Sequence, residues 1–430
     1  MSVETTHINE NPPPSRSQIF VWTLFDFANT AFYVLILTVG YPLYFKEVVA
    51  KGNQNGDFLW GLAFSISMLI VAFISPILGA VADYSAGKKR FLLIFTAICI
   101  VATSGLFFIT ESMIVWGIFL LIMANIGFEA GLVFYDSFLP EITTPRSYGR
   151  VSGYGFAMGY IGSLVTLAVA YPLFIKGFSS ENIINIRYSF LLAAGFFFVF
   201  SIPLFLFLKE KSKRVNQKFS FIKVGIQRIK ATFKEFEKHK NVGKFLLSYF
   251  IYIDGINTII IFSSIFARES LQLEIIDIVI FFAMVQTSAI AGSVIFGILA
   301  DHFGQKKTLT ATLILWLGIV VVAYFVTGKI LFYVVGILAG IALGSSQSTS
   351  RSLMSTITPI EKKTEFFGFY SFFGKASAIV GPLIFGYISS QMNQRIAIIS
   401  VGVLILVGLM LLQRVIEEKA TQEILSPNNL

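Results

Sequence analysis

Gly79-Ala-Val-Ala-Asp83-Tyr-Ser-Ala-Gly87-Lys88-Lys89 and Gly297-Ile-Leu-Ala-Asp301-His-Phe-Gly304-Gln-Lys306-Lys307 are two copies of one pattern, 218 residues apart. Each is a glycine, an aspartate four residues on, a second glycine and then paired lysines. Each follows one long apolar run, at about 58–82 or 275–300, and precedes another, at about 91–110 or 308–327. The same charged connector, set between apolar runs in both halves of a chain, marks a duplicated membrane-embedded unit.

Working outward, the other apolar runs fall at about 19–45, 113–138, 151–175 and 188–208, and at about 245–267, 330–350, 366–390 and 396–413. Six runs, a polar linker and six more make twelve. Their length of about 20 residues and lack of alternation predict helices, because a spanning segment must satisfy its backbone internally. Composition agrees: 55% of the 430 residues are apolar and only 13% are charged, with a mean hydropathy of +0.77. Soluble domains carry roughly 25% charged residues, so a water-soluble enzyme is excluded.

Further landmarks repeat. Asp26-Phe-Ala-Asn29-Thr30 returns as Asp254-Gly-Ile-Asn257-Thr258, Ile142-Thr-Thr-Pro145 as Thr356-Ile-Thr-Pro359, and Gly153…Gly159 as Gly368…Gly374. The predicted organisation is a polar N-terminus (1–18), a six-helix bundle (19–208), a linker (209–244), a second bundle (245–414) and a tail (415–430). No cleavable apolar segment precedes the first run. Of the 33 Lys and Arg, 25 fall on the side of the termini, with Arg351 counted there as a loop residue. The positive-inside rule therefore predicts both termini in the cytoplasm, and a bacterial inner membrane is the expected location.

The net charge of +9 is concentrated in the linker, where twelve Lys and Arg face three Glu. Phe219, Ile222, Ile226, Ile229, Phe233 and Phe236 are spaced as one helical stripe. A basic amphipathic helix on anionic lipid is expected there, rather than nucleic-acid binding. Cys99 is the lone cysteine and no apolar run holds a histidine, so neither a disulfide nor a metal site is expected, and no cofactor.

Charges inside spans are costly and are functional candidates. Asp26, Glu129, Asp254 and Lys375 stand out. Asp26, Asn29 and Tyr33 share one helix face, and Asp254 with Asn257 repeats part of it. A carboxylate beside an amide suits an ammonium group or a proton; an aspartate paired for structural reasons remains the alternative. Lys375 suits a substrate carboxylate or neutralises one of the acids. Gln347 is a weaker substrate-contact candidate.

With the repeated connector, the span count and the pseudo-symmetry in place, the chain resembles the major facilitator superfamily. The first connector departs from that pattern by one inserted residue before Gly87 and lacks the usual basic residue after its aspartate. Trp22-Thr-Leu-Phe-Asp26-Phe-Ala-Asn29-Thr30-Ala-Phe32, Phe138-Leu-Pro140-Glu141-Ile142 and Gly149-Arg150-Val151-Ser152-Gly153 are similar to the vacuole-effluxer-like branch, which includes fungal vacuolar amino-acid exporters and bacterial relatives. The resemblance implies an all-α fold of two pseudo-symmetric six-helix bundles, with spans one, four, seven and ten lining a central cavity. It implies a secondary transporter, not an enzyme, that acts by alternating access on a small, amino-acid-like solute. It further implies gating by Gly79, Asp83, Gly87, Lys88, Gly297, Asp301, Gly304 and Lys306, and leaves Asp26, Glu129 and Asp254 as proton-coupling candidates. A monomer in membrane lipid is expected, with a small-molecule substrate and protons as partners. A non-transporting sensor or an intramembrane enzyme is the rival reading.

Overall fold

The computed structural model describes residues 15–51, 56–85, 87–177, 179–210, 239–273, 275–359, 362–377 and 380–417. The amphipathic stripe expected in the linker lies outside the described residues. Among the described residues the chain is helical throughout, without a strand.

The first half comprises α1 (Arg16–Phe32), α2 (Gly56–Ser85), α3 (Lys88–Gly105), α4 (Ile114–Ser137), α5 (Tyr148–Phe174) and α6 (Ile183–Phe207). The first span runs on beyond α1 to Val49 through wider π-helical turns at Tyr33–Thr38 and Phe45–Val49. The second half comprises α7 (Lys240–Ile265), α8 (Ile275–Phe303), α9 (Gln305–Phe325), α10 (Lys329–Ile357), α11 (Lys363–Ala376), α12 (Val380–Gln391) and α13 (Gln394–Gln413). Each half buries its own apolar core, one built from residues between Val21 and Leu208, the other between Val242 and Val415.

Eleven helical stretches among the described residues are long and apolar enough to cross a bilayer, where twelve apolar runs were expected. The difference is the run at 366–390. Its described residues form α11 and α12, of 14 and 12 residues, each by itself short of the roughly 20 that a span needs, and residues 378 and 379 between them lie outside the described residues.

The duplication also appears in contacts that the sequence does not reveal. The Gln18 amide reaches the end of α6 by donating to the Phe207 carbonyl at 2.7 Å and accepting from the Lys209 N–H at 2.8 Å. The Asn241 amide does the same at the end of the second half, donating to the Ile416 carbonyl at 2.9 Å and accepting from its N–H at 3.1 Å. The Glu210 carboxylate caps the first N–H groups of α3, at Lys88 and Lys89, and Glu417 caps those of α9, at Gln305 and Lys306. An anion at a helix N-terminus satisfies donors that have no intrahelical partner. Burial pushes the Glu210 carboxyl above the ordinary carboxylate range, while those two amides pull it down. On the opposite face, Arg187 donates to the Phe107 carbonyl and Arg395 to the Tyr324 carbonyl, both at 2.6 Å, closing the ends of α3 and α9.

Candidate functional site at the bundle interface

The two halves meet along α5 with α8 and α2 with α11 on the face that carries the chain ends. Gly149 of α5 and Gly297 of α8 lie backbone to backbone. A Cβ on Gly149 would sit 2.3 Å from the Gly297 carbonyl oxygen, and one on Gly297 would sit 2.5 Å from that of Gly149. The Gly79 site of α2 is equally tight, 2.2 Å from the Thr364 carbonyl oxygen. Only glycine permits this approach. Asp301 secures it, accepting from the Gly149 N–H at 2.7 Å, the Arg150 N–H at 3.0 Å and the Arg150 Nε at 2.8 Å. The carboxylate thus caps the N-terminus of a helix in the other half.

The other residues expected to gate fall nearby. Gly304 adopts φ +103, a left-handed conformation that favours glycine. The Lys306 ammonium donates to the Gln413 carbonyl at 2.8 Å. Lys88 is buried and ion-paired with Glu141. Gly87 precedes α3 with an ordinary φ of −127. The Asp83 side chain lies outside the described residues. Asp301→Asn leaves one carbonyl oxygen to serve three donors. Transport in proteoliposomes is expected to slow while solute binding persists, at a cost of about 1–3 kcal/mol to the closed contact. Equal loss of binding and transport would argue against gating.

Deeper between the bundles lies a cluster centred on Arg351 of α10, which is only 2% exposed. Its Nη1 donates to Asp136 Oδ1 at 3.0 Å and contacts Asp26 Oδ2 at 3.5 Å. Its Nε donates to Ser152 Oγ at 2.9 Å and its Nη2 to the Ser152 carbonyl at 2.8 Å. Phe156, Trp22 and Tyr135 place ring centres 4.0, 4.8 and 5.9 Å from the guanidinium carbon. Tyr135 donates to Asp26 Oδ2 at 2.7 Å and stacks on Trp22 at 4.7 Å. Gly155 makes room: a Cβ there would lie 2.5 Å from Asp26 Oδ2.

Two sequence expectations are corrected here. Arg351 is not a loop residue but a buried one, within a helix that runs to Ile357 rather than ending near 350. The polar stretch Ser345-Ser346-Gln347-Ser348-Thr349-Ser350 disguised that continuation, since its hydroxyls bond back into the helix, as Thr349 does to the Ser345 carbonyl and Ser350 to that of Ser346. Arg351 thus joins Lys375 as a basic residue inside a span. Asp136 adds a further acid in α4, and Arg351 takes two of the four.

A second ion pair crosses the interface two turns along α4 from Asp136: Lys375 of α11 with Glu129 of α4. Tyr33 stands near them, half-exposed although midway along the first span, with its ring centre 6.5 Å from that of Phe128. Tyr160 of α5 donates to Gln347 Oε1 of α10 at 2.6 Å, another bond between the halves. The structure thus brings Asp26, Glu129, Lys375 and Gln347 to the interface, with Asn29 buried on the Asp26 helix.

Asp254 departs from its symmetry mate. Its carboxylate accepts from the Gly381 N–H, at 2.8 and 2.7 Å, and so caps the first turn of α12. Asn257 is half-buried one turn further along α7. Asp136, Tyr135, Ser152, Glu210 and Glu417 were missed from the sequence. Of these only Asp136 carried a signal, as a charge within the run 113–138.

A model of the family described as vacuole effluxer Atg22 like matches residues 14–149 and 146–425. The chain belongs to this family. The Atg22-like chain is 30% identical over 427 residues to the uncharacterized MFS-type transporter YxiO of Bacillus subtilis (strain 168), covering 95% of this chain and 97% of that one. It is 24% identical to autophagy-related protein 22 of Yarrowia lipolytica, over 76% of this chain and 69% of that one. Its fold superposes on the proton:xylose symporter XylE with a TM-score of 0.71 at 14% identity, over 93% and 95% of the two chains. It is a multi-pass membrane protein with the major facilitator fold, and this Atg22-like chain is a secondary transporter.

Proposed function

We propose that the chain exports a small, polar, amino-acid-like solute across the bacterial inner membrane by alternating access coupled to protons, its termini in the cytoplasm. The observation that carries the reading is the pairing of opposite charges across the bundle interface, Glu129 with Lys375 and Asp26 with Arg351. Charges shared by two bodies that must separate need replacement partners when they part. A zwitterion offers both: its ammonium group to Glu129 and its carboxylate to Lys375, with Tyr33 and Gln347 beside them. Asp254, held by Gly381, fastens α12 to α7 in this reading, with Asn257 as a flanking contact. The family's description as effluxers supports export, and the proton coupling named for XylE supports a proton.

Neutral variants test the coupling. In proteoliposomes, Asp26→Asn or Glu129→Gln is expected to abolish accumulation driven by a pH gradient while sparing exchange at equal pH. If these two and Asp254→Asn all accumulate solute with an unchanged pH profile, proton coupling through these acids fails. A thermal-shift screen of amino acids, peptides and sugars would identify the solute class.

A further inference from the structure

Among the described residues, the groups that hydrogen-bond, ion-pair or stack on the Arg351 guanidinium all belong to the first bundle. Asp26 and Trp22 come from α1, Tyr135 and Asp136 from α4, and Ser152 and Phe156 from α5. Together they provide two carboxylates, a carbonyl and a hydroxyl as acceptors, with aromatic faces against a planar cation. That is the chemistry of a guanidinium receptor: charge-assisted hydrogen bonds to a fork of donors, with ring faces completing the enclosure. The receptor is also held together without its occupant. Tyr135 bonds Asp26 and stacks on Trp22, and the Trp22 Nε1 donates to the Tyr135 carbonyl at 3.1 Å.

Arg351 enters this receptor from the second bundle. We propose that it acts as a tethered ligand, filling a cation site of the first bundle while the face bearing the chain ends is closed and vacating it when that face opens. The emptied site then takes a soluble organic cation with a guanidinium group. When the face closes, Arg351 and the soluble cation compete for the same carboxylates. Occupancy by the soluble cation therefore favours the open state, since a ligand shifts a two-state equilibrium by its differential affinity. This rests on the alternating-access reading but not on the identity of the transported solute.

The test reads binding and needs no transport. Gly149→Leu, which cannot pack against Gly297, holds the chain-end face open with Arg351 intact. Purified wild type and G149L are heated in detergent with millimolar methylguanidinium, tetramethylammonium or sodium chloride, at several pH values. Methylguanidinium is expected to raise the Tm of G149L saturably and that of wild type much less. Adding Phe156→Leu should weaken the apparent affinity by about 2- to 30-fold, the range of a cation–π contact, and adding Asp136→Asn should abolish the shift. Equal shifts in wild type and G149L, a shift that survives Asp136→Asn, or stabilisation by low pH alone would overturn the proposal, the last in favour of a proton as the occupant. Should G149L fail to fold, Arg351→Ala decides: methylguanidinium must restore the Tm of R351A and not that of R351A with Asp136→Asn.

Discussion

Arg351→Met is expected to be the most damaging single substitution in the chain. It keeps the volume and removes the charge, leaving Asp26 and Asp136 without their shared counter-ion between the bundles. Losing one partner from a buried ion cluster costs about 3–5 kcal/mol, because the remaining charge is stranded rather than merely unpaired. A marked fall in Tm in detergent and loss of transport in proteoliposomes should follow. Adding Asp26→Asn and Asp136→Asn should recover most of the Tm, since a neutral cluster has no stranded charge. Transport should not recover, because the contact that crosses the interface is still absent. Arg351→Lys should fall between, keeping the charge but losing the fork that reaches Asp136 and Ser152 together. If R351M is as stable as the parent, the cluster does not hold the closed face together.

Gly149→Leu is expected to have the second-largest effect, and a different one. The bundles should fold, because the Gly149 site meets mainly the opposite half, at Gly297 and Asp301. The closed chain-end face should become unreachable. Overpacking costs about 1–3 kcal/mol or more, which moves a two-state equilibrium about 5- to 150-fold. Spin labels at exposed Arg90 and Lys307, at the starts of α3 and α9, report the separation of the halves, and buried Cys99 is shielded from the label. A longer distance distribution than in the parent is expected. An unchanged distribution would mean that the α5–α8 seam relaxes around the side chain, and that its closeness does not set the conformation.

The two outcomes separate what holds the closed state from what allows it. Asp301 and Arg351 supply attraction across the interface, while Gly149, Gly297 and Gly79 supply the absence of obstruction. The two apolar cores lie within the bundles, not between them.

Much of this was written in the sequence. The apolar runs, the repeated connector and the matched landmarks determine a duplicated helical membrane protein, because lipid leaves the backbone no other way to satisfy its polar groups. The glycines and aspartates of the connectors were legible for the same reason: few residue types can do their work at that spacing. Arg351 and Asp136 were not legible as a pair, since they are 215 residues apart and one stands beyond a serine-rich stretch that reads as a loop. Nor was the divergence of Asp26 from Asp254, identical in local pattern. One meets an arginine from the other bundle, and the other meets the buried Gly381 N–H of α12 in its own half. Periodicity and composition are properties of neighbours along the chain, so the sequence by itself determined the helices and their duplication. Which charges neutralise one another depends on which helices pass within about 4 Å, and only the tertiary structure decided that.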